Sequence, residues 1–291
     1  MRRGGTGVAL IALALSLFAG CSLHRVGPSA LGFFVSSQRP SDVDALASRL
    51  GVQVQGISGY TSSDSWSAIG SYQPPSTTLR LYLGVSMNPN GTSPAQTPAN
   101  LAVYQQLGRS LVAAGQAYAI LRVGWEWSTN FVPWGVQNTT PEQYVTAFDD
   151  IVTTMRSVPG QHFLFDWCAG AGAVPTNGSY AASYPGDAFV DYIGTDVYDN
   201  PTVSWSDGLN AVGGLASTAL FAAQHGKYVS VPEWGLDGYD DPTFINLMHG
   251  FIEDPANKVA YSSYFSDNAA VNSTITQFPN SAAAFTADFG G

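Results

Sequence analysis

The segment 121–135, LRVGWEWSTNFVPWG, begins as a short apolar run and then sets one carboxylate, Glu126, between Trp125 and Trp127. Asn130, Phe131 and Trp134 follow at once. Short apolar runs of this kind are expected of strands buried on both faces, as in parallel sheets covered by helices. An acid at the C-terminal end of such a strand, ringed by aromatic side chains, reads as the mouth of a site.

Seven other runs share this character: LGFFVSS, VQVQGIS, TLRLYLGVS, HFLFDWC, VDYIGTDVY, YVSVPEW and VAYSSYF, with YAILRVGW as the fourth in chain order. Helical patterns fill most gaps. SDVDALASRL has Ser41 as a candidate cap, and TPANLAVYQQLGRSLVAAG starts at Thr97–Pro98 and ends at Gly115. In TPEQYVTAFDDIVTTMRS, Thr140 caps, Pro141 takes the first helical position and Gln143 follows three residues after the cap. SDGLNAVGGLASTALFAAQHG ends at Gly226, and AGAGAVPTNGSYAASYPGDA reads as loop with at most a short helix. Eight strands alternating with helices predict a single (β/α)8 TIM barrel over residues 31–291. The rival, a doubly wound open sheet, lacks a glycine-rich phosphate loop after the first strand.

With 45% hydrophobic and only 11% charged residues among 291, the chain can bury a large core. The net charge is −10, with two lysines and nine arginines and no basic stripe, which excludes nucleic acid as a partner. Arg2 and Arg3 precede the apolar VALIALALSLFAG, too short for a comfortable membrane span but of signal-peptide proportions. The segment FAGC resembles the bacterial lipoprotein signal. That resemblance implies removal of residues 1–20, lipidation of Cys21, a tether over 21–30, and an extracytoplasmic protein lipid-anchored to the bacterial cell envelope. Cys168, the other cysteine, then has no disulfide partner and reads as a small buried hydrophobe.

In such barrels the site lies at the C-terminal strand ends. The chain has four glutamates, and only Glu126 and Glu233 fall there, in GWEW after the fourth strand and PEWG after the seventh. Two carboxylates on one cleft can divide the work: one stays protonated and protonates a leaving oxygen, the other stays ionised and attacks or activates water. Aromatic faces beside them suit sugar rings. The histidines, His24, His162, His225 and His249, show no metal-site spacing, and no G-x-S-x-G motif appears. Neither a metal nor another cofactor is expected.

Arg122–Val123–Gly124–Trp125–Glu126, then Asn130 and FVPWG, resembles glycoside hydrolase family 26, which includes β-mannanases and some β-glucanases. The resemblance is motif-specific around residues 122–135, 191–199 and 229–235. It implies a retaining glycoside hydrolase acting on a β-linked polysaccharide or oligosaccharide, with Glu126 as acid/base and Glu233 as nucleophile. It also implies that Tyr198 of DYIGTDVYDN hydrogen-bonds the nucleophile, that Asp196 shapes the floor and that Arg122 orients the carboxylates. Trp125, Asn130, Trp134, Trp167 and Trp234 are candidate substrate contacts, and Trp66 and Trp205 candidate rim platforms. Many mannanases of the family carry histidine just before the acid/base, where this chain has Trp125, so the sugar is left open. Two other readings share the fold: a glycan-binding surface lipoprotein without activity, and a hydrolase of the same clan acting on a bacterial envelope glycan.

Overall fold

The computed structural model describes residues 29–173 and 180–290; Cys21 and the signal segment lie outside them. Eight parallel strands close into a barrel in sequential order: β1 (Ala30–Val35), β2 (Gly56–Tyr60), β3 (Arg80–Val85), β4 (Ile120–Val123), β5 (Leu164–Gly170), β6 (Tyr192–Tyr198), β7 (Tyr228–Gly235) and β8 (Val259–Ser266). β1 pairs with β8, so no sheet edge is left open. The helices are α1 (Pro40–Leu50), α2 (Trp66–Gly70), α3 (Ala102–Ala113), α4 (Pro141–Arg156), α5 (Trp205–Asn210), α6 (Leu215–Gln224), α7 (Pro242–Glu253) and α8 (Pro279–Phe289).

Strand alternation divides the core in two. Leu81, Leu121, Phe165, Ile193 and Val231 point outward into the layer beneath the helices. Tyr82, Ile120 and Tyr261 form a separate buried cluster, with Leu164 and Tyr192 packed against it. This second cluster plugs the barrel below the C-terminal strand ends, so the interior is filled rather than open.

Local chemistry moved several expected boundaries. Thr140 does cap α4, its Oγ1 accepting from the Gln143 N–H at 3.2 Å, with Pro141 at the first position. Ser41 is not a cap: α1 begins at Pro40 after Arg39, which makes no side-chain cap bond. The segment around Thr97–Pro98 forms a 3-10 turn over Pro94–Asn100 before α3 begins, because Pro98 has no N–H to extend an α-helical ladder. The predicted helix before Gly226 is two helices, α5 and α6. β2 starts at Gly56, later than expected, and carries on to Tyr60.

The decisive irregularity is in β7. Against β6, Gly194 faces Ser230 and Asp196 faces Glu233, so three residues on β7 span two on β6. Against β8, Val231 faces Ser262 and Trp234 faces Tyr264, again with an extra residue on β7. This β-bulge holds Pro232, which cannot donate to a ladder and is tolerated at such breaks. The bulge reverses the alternation: Ser230 and Glu233 both face the interior although three positions apart, and Trp234 is sent outward.

Candidate active site

Glu233 stands at the centre of a hydrogen-bond network at the top of the barrel. Tyr198 of β6 donates to its Oε1 at 2.6 Å, and Tyr60 of β2 donates to its Oε2. Arg122 of β4, 1% exposed, lies 3.5 Å from Oε2, donates to the Tyr60 hydroxyl at 3.1 Å and forms a buried ion pair with Asp196. The Cys168 thiol donates to Asp196 Oδ1 at 3.2 Å, closing the network beneath. Two phenols and a guanidinium on one carboxylate fix its orientation.

Glu126 has different surroundings. β4 ends at Val123, and Gly124 takes a positive φ of 57° to turn the chain over the barrel mouth. Glu126 itself has φ 51°, a conformation that costs a non-glycine residue on the order of 1 kcal/mol or more. Hydrogen bonds hold it there: its N–H donates to the Cys168 carbonyl at 2.9 Å, and its carbonyl accepts from the Thr129 N–H and hydroxyl. Gly170 ends β5 beneath it; a Cβ there would lie 3.5 Å from Glu126 Oε1 and 2.8 Å from Thr129 Cγ2. Burial pushes the Glu126 carboxyl well above the usual glutamate range. The negative charges of Asp196 and Glu233 add to this, and Arg122 opposes it. One glutamate is thus held by donors, and the other is pressed toward its neutral form.

Arg122, Asp196 and Tyr198 come together around Glu233, as the resemblance implied. Arg122 and Asp196, 1% and 3% exposed, touch the carboxylate network rather than an open cleft. The aromatic candidates divide. Trp125 is half-buried over the barrel mouth, packed between Tyr60 and Trp134 with ring centroids at 5.2 and 4.6 Å. Asn130 is exposed on the loop after β4. Trp134, Trp167 and Trp234 are corrections: at 1%, 0% and 0% exposure they offer no face to a sugar. Trp134 lies beneath Trp125 and donates its indole N–H to that residue's carbonyl at 2.7 Å. Trp167 neighbours inward-facing Asp166 and Cys168 on β5, so alternation turns it outward, stacked on Trp127 at 4.7 Å. Trp234 follows Glu233 and packs outward on Phe285 and Tyr264. Trp127, next to Glu126 in sequence, is fully buried in the outer layer, while Phe131 is 68% exposed on the loop.

Tyr60 and Asp166 escaped the sequence reading. Tyr60 lies just past the expected end of the second strand, and carrying that strand's alternation on from Gly56 and Ser58 places it inside. Asp166 sits in the hydrophobic run HFLFDWC, where an acid on an inward position was the available signal. Among the described residues no group of three or more His, Cys, Asp or Glu side chains is arranged to hold a metal ion.

A closed (β/α)8 barrel with one glutamate just past β4 and a second on β7 holds a carboxyl pair at the end where such barrels carry their sites, and a carboxyl pair is what glycoside hydrolysis uses. The sequence model of glycosyl hydrolase family 26 matches residues 111–245, which hold both glutamates. Over that segment the chain is similar in sequence to family 26. Over 164 residues it is 26% identical to endoglucanase H of Acetivibrio thermocellus, an alignment covering 54% of this chain and 18% of that protein. Over 111 residues it is 29% identical to a mannan endo-1,4-beta-mannosidase of Bifidobacterium adolescentis, covering 36% of this chain and 11% of that protein. The chain therefore spans under a fifth of the length of these curated relatives. Among solved structures, a Cellulomonas fimi endo-beta-1,4-mannanase double mutant superposes with a TM-score of 0.66 at 19% identity, over 90% of this chain and 71% of that one. A family 26 β-mannanase from Bacteroides ovatus gives 0.62 at 15% identity, over 90% and 87%.

Proposed function

We propose that the protein is a retaining glycoside hydrolase that cleaves a β-linked polysaccharide, of the endo-β-mannanase or related β-glycanase kind. The observation that carries this reading is the pairing of two glutamates at the same barrel end with opposite surroundings. Glu233, oriented by Tyr60, Tyr198 and Arg122, attacks the anomeric carbon. Glu126, protonated, gives its proton to the departing glycosidic oxygen, leaving a glycosyl–Glu233 ester. Glu126, now a carboxylate, takes a proton from water as that water attacks the same carbon and frees Glu233. This double displacement calls for carboxyl groups about 5–5.5 Å apart. Mannan and glucan are the first substrates to try, given the names of the relatives. The reading places the enzyme outside the cytoplasm, held to a membrane of the bacterial envelope by lipid on Cys21.

The test is hydrolysis of a panel of mannans, glucans, xylans and bacterial envelope glycans, with the first-formed anomer read by NMR. Retained configuration supports the reading, and an inverted product refutes it. Glu233→Ala is expected to abolish turnover. Glu126→Ala should keep turnover of aryl glycosides with good leaving groups, and azide should raise it, giving a β-glycosyl azide. Azide rescue of Glu126→Ala with inversion would instead exchange the two roles. Full activity on every substrate in both variants would place the site elsewhere.

A further inference from the structure

At the C-terminal end of β6 lies a cavity of about 710 Å³, walled by the loop after that strand, by α5 and by the start of α7. That is within the range of small-ligand sites, about 300–1,000 Å³. Tyr198, the donor to Glu233 Oε1, forms part of its wall, so the cavity adjoins the carboxylate network through that residue. Trp205, the first residue of α5, lines it with a half-buried ring set edge-on to Phe244 at 6.1 Å. Tyr239 lines it as well and hydrogen-bonds Asp199. Asp199 is 8% exposed, yet its Oδ2 is buried with no hydrogen-bond partner among the described residues. A buried carboxylate oxygen without a donor is costly, and a ligand hydroxyl would relieve that cost.

We propose that this cavity is a subsite for a neutral pyranose unit of the substrate, stacked on Trp205 and hydrogen-bonded through its hydroxyls to Asp199. The proposal rests on the glycoside hydrolase reading above and adds where a further sugar of the chain binds. An aromatic ring beside a carboxylate matches a pyranose, which offers C–H bonds on one face and hydroxyl donors at its rim. The charges select the sugar class. Asp199 and Asp241 line the cavity, and no basic side chain among the described residues does. Asp241 Oδ1 is already engaged as the cap of α7, accepting from the Thr243 and Phe244 N–H groups. Asp199 Oδ2 is therefore the open acceptor, and an acidic sugar would bring like charge against it.

The experiment is titration calorimetry on the full chain carrying Glu233→Gln, which binds without turnover. The probes are neutral β-1,4-linked manno- and gluco-oligosaccharides of two to six units, and an oligouronide of matching length. Trp205→Ala and Asp199→Asn, each added to Glu233→Gln, should weaken the tightest-binding hexasaccharide about tenfold. Trp205→Phe, which keeps an aromatic face, should stay within about threefold, separating lost stacking from damage to the fold. The oligouronide should bind more weakly than its neutral counterpart. Unchanged hexasaccharide affinity in Trp205→Ala, equal loss in Trp205→Phe, preference for the oligouronide or no binding by any probe would each overturn the subsite. Failure of the underlying reading shows separately, as an unsubstituted chain that hydrolyses none of the glycans.

Discussion

Replacing Asp166 by asparagine should remove a pH dependence of stability built into the barrel interior. Asp166 is fully buried on β5. Its Oδ2 accepts from Ser230 at 2.7 Å and from Tyr261, while Oδ1 has no partner among the described residues. Burial is the largest influence and raises its pKa from 3.8 to about 6, against the pull of those two donors and of Arg122. Below pH ~4 the carboxyl is protonated in both folded and unfolded chains, and the shift contributes nothing. Between pH ~4 and ~6 the unfolded chain releases the proton while the folded chain keeps it, so folding stability falls as pH rises. At ~1.4 kcal/mol per pH unit the loss reaches about 3 kcal/mol and is constant above pH ~6. Asparagine carries no such proton. Urea unfolding of both proteins from pH 4 to pH 7 isolates the effect as the change in their stability difference, since groups that do not feel Asp166 contribute equally to both. Asp166→Asn should gain about 3 kcal/mol relative to the unsubstituted chain across that range. A difference that is flat with pH, or that grows in the opposite direction, would refute the assignment of burial as the controlling influence.

The raised pKa of Glu126 bears on activity with a definite sign. A general acid must be protonated, so the alkaline fall of kcat/KM should lie above the ordinary glutamate range, and it should flatten in Glu126→Gln on aryl glycosides with good leaving groups. Gly170→Val places side-chain atoms against Thr129 and Glu126; displacement of the acid should lower kcat by about 10- to 100-fold, measured on an unactivated oligosaccharide. If Cys21 carries lipid, Cys21→Ala should move the protein from the membrane fraction to the soluble fraction of the expressing cell, and unchanged membrane association would count against lipidation.

The barrel was legible because each of the eight strands is an apolar run separated from the next by turn or helix signals, and only the ends moved. The two glutamates were legible because acids are scarce in this chain and these two follow strand-like runs. The tryptophans were not, because sequence proximity to a carboxylate says nothing of the face a side chain takes. On a strand, the neighbour of an inward acid points outward. That rule sends Trp167 away from Asp166 and Cys168, and Trp234 away from Glu233. Tyr60 was missed for the converse reason, since the apparent alternation in VQVQGIS drew the strand too early.

The same geometry explains how one barrel gives two carboxylates different surroundings. Had β7 run without its bulge, the position after Pro232 would share the outward face of Val229 and Val231, and Glu233 would be buried among helix-facing side chains. The extra residue brings it inward instead, to where β2, β4 and β6 each contribute one hydrogen-bonding or charged group, Tyr60, Arg122 and Tyr198. Glu126 reaches the mouth by another route, a turn through two positive φ angles that lifts it clear of β4. Past the strand end it lies close to the bare backbone of Gly170. Arg122 is shared between the two environments but is committed by contact to Asp196 and Glu233. Its attraction reaches Glu126 only as the weakest of the influences on that carboxyl. The unlike surroundings of the two glutamates thus follow from two backbone irregularities, one inside a strand and one just beyond a strand's end.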